Sequence, residues 1–197
     1  MAGRSDAQQS HLFRLVDSIT KYVAAEEFSS MPVSDLQKTD SIYCHAVRVA
    51  EGNLSDALLG LTIALVAHTK IPVTLPLLGL RMDFHFLSST PETVNKKNDN
   101  LPKVLFLDSP HTMHGDQDKL AHFFGSAFLS YNMRLFDYSL VIGYFVESFE
   151  ETFGISRIDD RDMRANSLGV KFGKMIREKE VMPSQIFLMY NLKYFII

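Results

Sequence analysis

From Ser10 to Phe28 the apolar residues Leu12, Leu15, Val16, Ile19, Tyr22 and Val23 recur at spacings of three and four. Asp17, Lys21, Glu26 and Glu27 fall largely on the other side, which predicts an amphipathic helix ended by Ser29 to Pro32. Val33 to Gly52 predicts a second helix, with Ser34 as N-cap and Gly52 as its stop. His45 in its later half reads as a surface or core histidine rather than a ligand. Asn53 is a suitable N-cap for a third, strongly apolar helix from Leu54 to Ala67, which Pro72 and Pro76 prevent from continuing.

Beyond those prolines the period falls to two. Met82, Phe84 and Phe86 alternate with Arg81, Asp83 and His85, giving Val73 to Phe86 the character of a strand. Val104 to Leu107 is a short apolar run expected to pair with Arg81 to Phe86 as a hairpin. The polar stretch Ser88 to Pro102 is expected to be a mobile loop between them. From Asp116 the period is helical again. Three helices are predicted: Leu120 to Tyr131, Tyr138 to Phe153, and Arg161 to Lys179, the last capped by Asp159 or Asp160. Gln185 to Ile197 is apolar and aromatic; it is expected to pack on the body, as a tail or as an edge strand. The resulting fold class is mainly α: a helical domain with a minor β-hairpin and a C-terminal three-helix unit carrying a polar cluster. Its parts are an N-terminal helical part (10–70), a hairpin and loop (73–115), the three-helix unit (116–179) and a C-terminal tail (185–197), forming a single domain.

Composition narrows this picture. With 22% charged and 46% hydrophobic residues, the 197-residue chain is globular in character. A net charge of -3 gives no electrostatic reason to expect nucleic acid as a partner. The single cysteine, Cys44, excludes an intramolecular disulfide framework and reads as a small hydrophobe. Met1 to Ser10 lacks the apolar core of a signal peptide. Leu54 to Leu80 is interrupted by His68, Lys70, Pro72 and Pro76, and Leu120 to Phe149 by Asn132, Arg134, Asp137 and Glu147. Neither offers the roughly 20 uninterrupted apolar residues of a lipid-exposed span, so a soluble or peripheral protein is favoured over an integral one.

Candidate chemistry concentrates between Gly115 and Gly173. Asp118 and His122 are four apart and share one face of the first helix of that unit. Glu147 with Glu150 or Glu151 does the same on the second, and Asp162 with Asn166 on the third. If those faces converge, oxygen and nitrogen ligands surround one point, suited to a divalent metal or a shared proton. The structural alternative is a buried hydrogen-bond network, since an unpaired buried charge is costly. Gly169, Gly173 and Ala165 make a small-residue strip suited to close helix packing. Ser126, one turn after His122, lacks any nucleophile-elbow pattern. His111 and His114 lie in a turn and are expected to be solvated.

The ordered set Asp118-Lys119-x-x-His122-Phe123, Gly143-x-x-x-Glu147 and Arg161-Asp162-x-x-x-Asn166-x-x-Gly169 resembles VanZ-like proteins and the related small bacterial lipoproteins similar to YfiM. The resemblance spans Asp116 to Gly173, under a third of the chain. It departs from the family at Glu150, where VanZ-like proteins usually carry Gln, and in the more polar character of its helices. It implies a link to the cell envelope and marks Asp118, His122, Glu147, Asp162 and Asn166 as the family-like polar positions, without assigning a reaction.

Two functions follow as expectations. In the first, this is a bacterial envelope-associated protein whose polar intrahelical site binds a divalent metal or a polar headgroup, as in a hydrolase. His122, Glu147 and Asp162 would be catalytic, Asp118 and Asn166 would bind substrate, and His122, Glu147, Glu150 and Asp162 would form the metal set. In the second, it is a non-catalytic interaction or structural subunit of a membrane-associated complex with a buried polar network, its partner a membrane surface or a membrane protein. Whether it is an enzyme, the metal, the substrate and the oligomeric state are not encoded in any feature above.

Overall fold

Capping residues start three of the helices, at Ser34, Asn53 and Thr90, in the computed structural model, which describes residues 2–66, 70–75, 80–85, 89–133 and 160–193, with side chains from residue 11 onward outside the two strands. Among the described residues the chain is mainly helical. Helix α1 (Ala2–Ala24) buries Leu12, Leu15, Val16, Ile19 and Val23, the face its periodicity predicts. A single turn, α2 (Glu26–Ser29), follows and buries Phe28. Helix α3 (Asp35–Val49) starts with a reciprocal capping box between Ser34 and Gln37. It ends where Glu51 and Gly52 adopt positive φ and Gly52 N–H donates to Val47 O. His45 of α3 stacks on Tyr22 at 4.1 Å and lies 3.1 Å from the Ser18 hydroxyl, a packed helix contact. Asn53 caps α4 (Leu54–Ala64) by accepting from Asp56 N–H.

The middle of the chain corrects two expectations. Val104 to Leu107 is not a strand and does not pair with Arg81 to Phe86. Its amides are instead satisfied by side chains: Asp35 accepts from Lys103 and Val104, and Ser109 from Leu105 and Phe106. Strands β1 (Lys70–Leu75) and β2 (Leu80–His85) run antiparallel to one another, so the hairpin with a long connection is not formed. Nor is Ser88 to Pro102 a mobile loop. Thr90 caps a helix, α5 (Pro91–Asn100), with Pro91 in its first turn, where a missing N–H is harmless. Helix α5 buries Val94 and Lys97 and fixes Asn100 to the Val23 carbonyl of α1, 2.8 Å away. A single apolar side chain on a polar helix is too little periodicity to register as amphipathic.

Helix α6 (Lys119–Asn132) and helix α7 (Asp160–Met175) are two of the helices expected in the C-terminal unit. The third, expected over Tyr138 to Phe153 with Glu147, Glu150 and Glu151, lies outside the described residues. Helix α8 (Pro183–Leu192) packs on the body as expected of this stretch, as a helix rather than an edge strand; Pro183 fixes its first turn, Ile186 and Phe187 pack inward, and residues 194–197 lie outside the described residues. One hydrophobic cluster joins α1, α3, α4, α6, α7 and α8, with Phe123, Phe124, Phe172, Phe187 and Tyr43 in ring contact at its centre. No described helix is long and apolar enough to cross a membrane.

Candidate functional site

The α6–α7 seam begins with small residues. A Cβ on Gly169 would strike the Phe123 carbonyl oxygen, and one on Gly173 the Ala127 carbonyl, so glycine at both positions lets the two backbones approach. Ala165, one turn earlier, is wholly buried in the same seam. Close approach brings short polar side chains within reach of the other helix. Ser126 Oγ donates to Asn166 Oδ1 at 2.9 Å, and Ser130 Oγ donates to Val170 O at 2.8 Å. Arg177 follows α7 and donates to the Ser130 and Tyr131 carbonyls near the end of α6, satisfying acceptors that a helix terminus leaves open.

At the start of α6 the stripe becomes ionic. Lys119 Nζ is 2.6 Å from Asp118 Oδ2 and 2.7 Å from Asp162 Oδ1, so one ammonium joins two carboxylates. The Lys119 side chain is 5% exposed, Asp162 9% and Asp118 54%; the bridge runs from the protein surface inward. Burial alone would lower the Lys119 pKa, but hydrogen bonds and charge from Asp118 and Asp162 outweigh it and hold the group above its ordinary value. His122, one turn on, places Nε2 3.6 Å from the same Asp162 oxygen. Burial lowers the pKa of its imidazole, assisted by Lys119 and opposed by Asp162, Asp118 and the adjoining Asn166 amide, so the neutral ring is favoured.

Just outside the seam, wholly buried Asp116 accepts from Arg161 Nη1 at 3.1 Å and from the Ser109 hydroxyl and Leu105 amide. It thereby ties the 101–118 loop to the first turn of α7. Gly115 sits at positive φ against the Lys103 carbonyl, where no side chain fits.

Of the residues singled out by spacing, His122, Asp162 and Asn166 come together, and Asp118 reaches the group through Lys119. Asp118 and His122 share a helix face as expected, yet no direct bond between them forms, because Lys119 takes the Asp118 carboxylate. Ser126 serves Asn166 rather than His122. Glu147 and Glu150 lie outside the described residues. Lys119 and Asp116 are the functional-looking groups that spacing missed. Lys119 sits inside the quoted motif, three residues before His122, and that spacing was its signal. Asp116 offered none, since its partners lie 7, 11 and 45 residues away. Among the described residues no three His, Cys, Asp or Glu side chains are grouped to hold a metal ion. A lysine ammonium stands between the two carboxylates where such an ion would be sought. No protein-family model, curated protein or solved structure matches the chain.

Proposed function

We propose that this chain is a non-catalytic interaction subunit of a membrane-associated assembly, in which the polar seam fixes how α6 sits on α7. The observation that carries this reading is Lys119, whose ammonium bridges Asp118 and Asp162 at 2.6 and 2.7 Å. The cluster supplies its own cation for its buried carboxylate, Asp162, which is the condition for tolerating that charge without a ligand, while the carboxylate of Asp118 is half exposed to water. Serine, asparagine and backbone acceptors continue the same stripe along both helices, as a register device requires and as a reaction does not.

The second reading is the envelope-associated metal or headgroup site acting as a hydrolase. Its supporting observation is the neutral imidazole of His122, 3.6 Å from Asp162, an arrangement suited to a general base. The likeness to VanZ-like proteins supports grouping Asp118, His122, Asp162 and Asn166, with Glu147 as a further member read from sequence. In that scheme His122 is the base or a ligand, Glu147 and Asp162 are ligands or acid–base groups, and Asn166 is an orienting donor.

One experiment separates the two: metal content by plasma mass spectrometry and thermal melting, for the purified wild type, His122→Ala and Lys119→Met. The interaction reading expects no stoichiometric metal in any of them and a large loss of stability in Lys119→Met. Stoichiometric metal that disappears in His122→Ala would overturn it in favour of the second reading.

A further inference from the structure

The amine of Lys97 on α5 is enclosed where α4 ends. Its Nζ donates to the Ala64 and Val66 carbonyls at 3.0 and 2.7 Å, and the residue is 1% exposed. A neutral amine carries two N–H groups and an ammonium three. Among the described residues two acceptors meet Nζ, so the site satisfies the neutral form and leaves the third proton of the charged form unpaired.

Charges on the surrounding elements do not compensate. On α1, Asp17 accepts from the Ser89 hydroxyl and pairs with Lys21 at 2.8 Å. On α5 itself, Glu92 pairs with Lys96 at 2.9 Å, and both lie with Asp99 on the exposed face. The one charged residue of α4 is Asp56, bonded to Asn53 in the first turn, at the far end from Val66. The 101–118 loop reaches α5 through Gln117, whose Nε2 donates to Asn98 O at 2.6 Å; the adjoining Asp116 and Asp118 bind Arg161 and Lys119. Burial is accordingly the influence that sets Lys97, lowering its pKa from 10.5 to about 7.

Helix α5 is also weakly held. Val94 is its one buried apolar side chain. Its remaining ties are three part-exposed hydrogen bonds: Asn100 to the Val23 carbonyl, Ser89 to Asp17, and Gln117 to the Asn98 carbonyl. A helix of 10 residues with so little apolar burial belongs to the low-stability end of a structure, where a segment opens without the rest.

We infer that α5 is a proton-operated latch: protonation of Lys97 draws its side chain off the end of α4 into water and frees residues 89–100 from α1, uncovering Val94. Opening takes up one proton, because the exposed amine regains the ordinary proton affinity of a lysine. The open form is therefore rarest above pH 10.5, becomes more frequent as pH falls, and levels off below about 7, where the closed form is protonated too. This makes the corner of α1, α4 and α5, rather than the polar seam, the part of the fold that answers to pH above neutrality. It depends on neither reading of the Lys119 cluster.

The test is hydrogen exchange of the full chain at pH 7, 8 and 9, read by mass spectrometry and corrected for intrinsic exchange. Peptides covering 89–100 are expected to be less protected than α6 and α7 at every pH, and to lose protection roughly fiftyfold between pH 9 and pH 7. That window lies above the range in which His122 titrates. Lys97→Met is expected to abolish the slope. In wild type the ε-carbon resonance of Lys97, assigned by its loss in Lys97→Arg, is expected to titrate near pH 7. Titration near 10.5, α5 protection that is flat from pH 9 to pH 7 or equal to that of α6 and α7, or a slope kept by Lys97→Met would overturn the inference. Should Lys97→Met fail to fold, the wild-type slope and the carbon titration decide the matter. None of these readouts involves metal content or the Lys119 variant, so the experiment on the seam stands or falls independently.

Discussion

Lys97 on α5 and Lys119 on α6 are both almost entirely buried, 1% and 4% exposed, yet their surroundings differ in kind. Lys119 faces two carboxylates. Lys97 meets backbone instead: its Nζ donates to the Ala64 and Val66 carbonyls at 3.0 and 2.7 Å, closing the end of α4. The consequence appears in their protonation. Burial drives the Lys97 pKa down to about 7, whereas the carboxylates around Lys119 reverse the same tendency and raise it. One lysine is a fixed charge that completes an ionic network. The other is a helix terminator that gives up its proton readily. Burial of a basic group thus says little about its role until its acceptors are known.

The sharpest way to break this comparison is Lys119→Met, which leaves Asp162 buried beside His122 without its ammonium. Chemical denaturation at pH 7 is expected to show a loss of about 3–5 kcal/mol, much of it restored by adding Asp162→Leu. Recovery by the double variant distinguishes charge pairing from simple loss of packing. Next is Gly169→Val, which drives a branched side chain into the Phe123 carbonyl. It is expected to cost about 3 kcal/mol by the same measurement, because the seam cannot widen without breaking the Ser126–Asn166 bond.

Lys97→Met should separate the two lysines most clearly. The folded-state pKa lies below the unfolded value, so stability is complete above about pH 10.5 and falls as the pH is lowered towards 7. Removing the amine flattens stability across that window. At pH 7 the variant is expected to equal or exceed wild type by up to about 2 kcal/mol, after losing two hydrogen bonds worth about 1 kcal/mol each. For Lys119 the sign is opposite: its raised pKa contributes stability below pH 10.5 that is lost on further alkalinisation. The smallest effect belongs to His122→Gln. The lowered pKa of His122 makes the folded state less stable as pH falls below 6.5, and the substitution is expected to reduce that acid-side loss, read as a smaller drop in melting temperature between pH 7 and pH 5.

Much of the helical frame was legible because its signals are local. Ser34 and Asn53 cap where their side chains predict, and Leu12 to Val23 bury the face their spacing defines. Gly169 and Gly173 announced a close seam and form one. The polarity of helix α5 reads as a loop, although Thr90 followed by Pro91 is a helix-start signal. The candidate site was half legible. Spacing gathers residues on one helix, so Asp162 and Asn166 were found together and His122 was placed on the right face. Spacing is silent on which cation a carboxylate will meet, so the role of Lys119 was missed, as were the distant partners of Asp116 and the acceptors of Lys97.

Helix α3 holds later parts of the molecule with two acids. Asp35 grips the amides of Lys103 and Val104, 68 and 69 residues further on, and Asp40 takes both the amide and the hydroxyl of Ser184, 144 residues further on. At a translation rate of about 10 residues per second, Asp40 waits roughly 15 seconds after its own synthesis for its partner to be made. Until then this side of α3 remains open to water and to chaperones. Closure of the fold is therefore a late event in the life of the nascent chain, and a ribosome stalled before Ser184 releases a polypeptide whose early helices lack their latch.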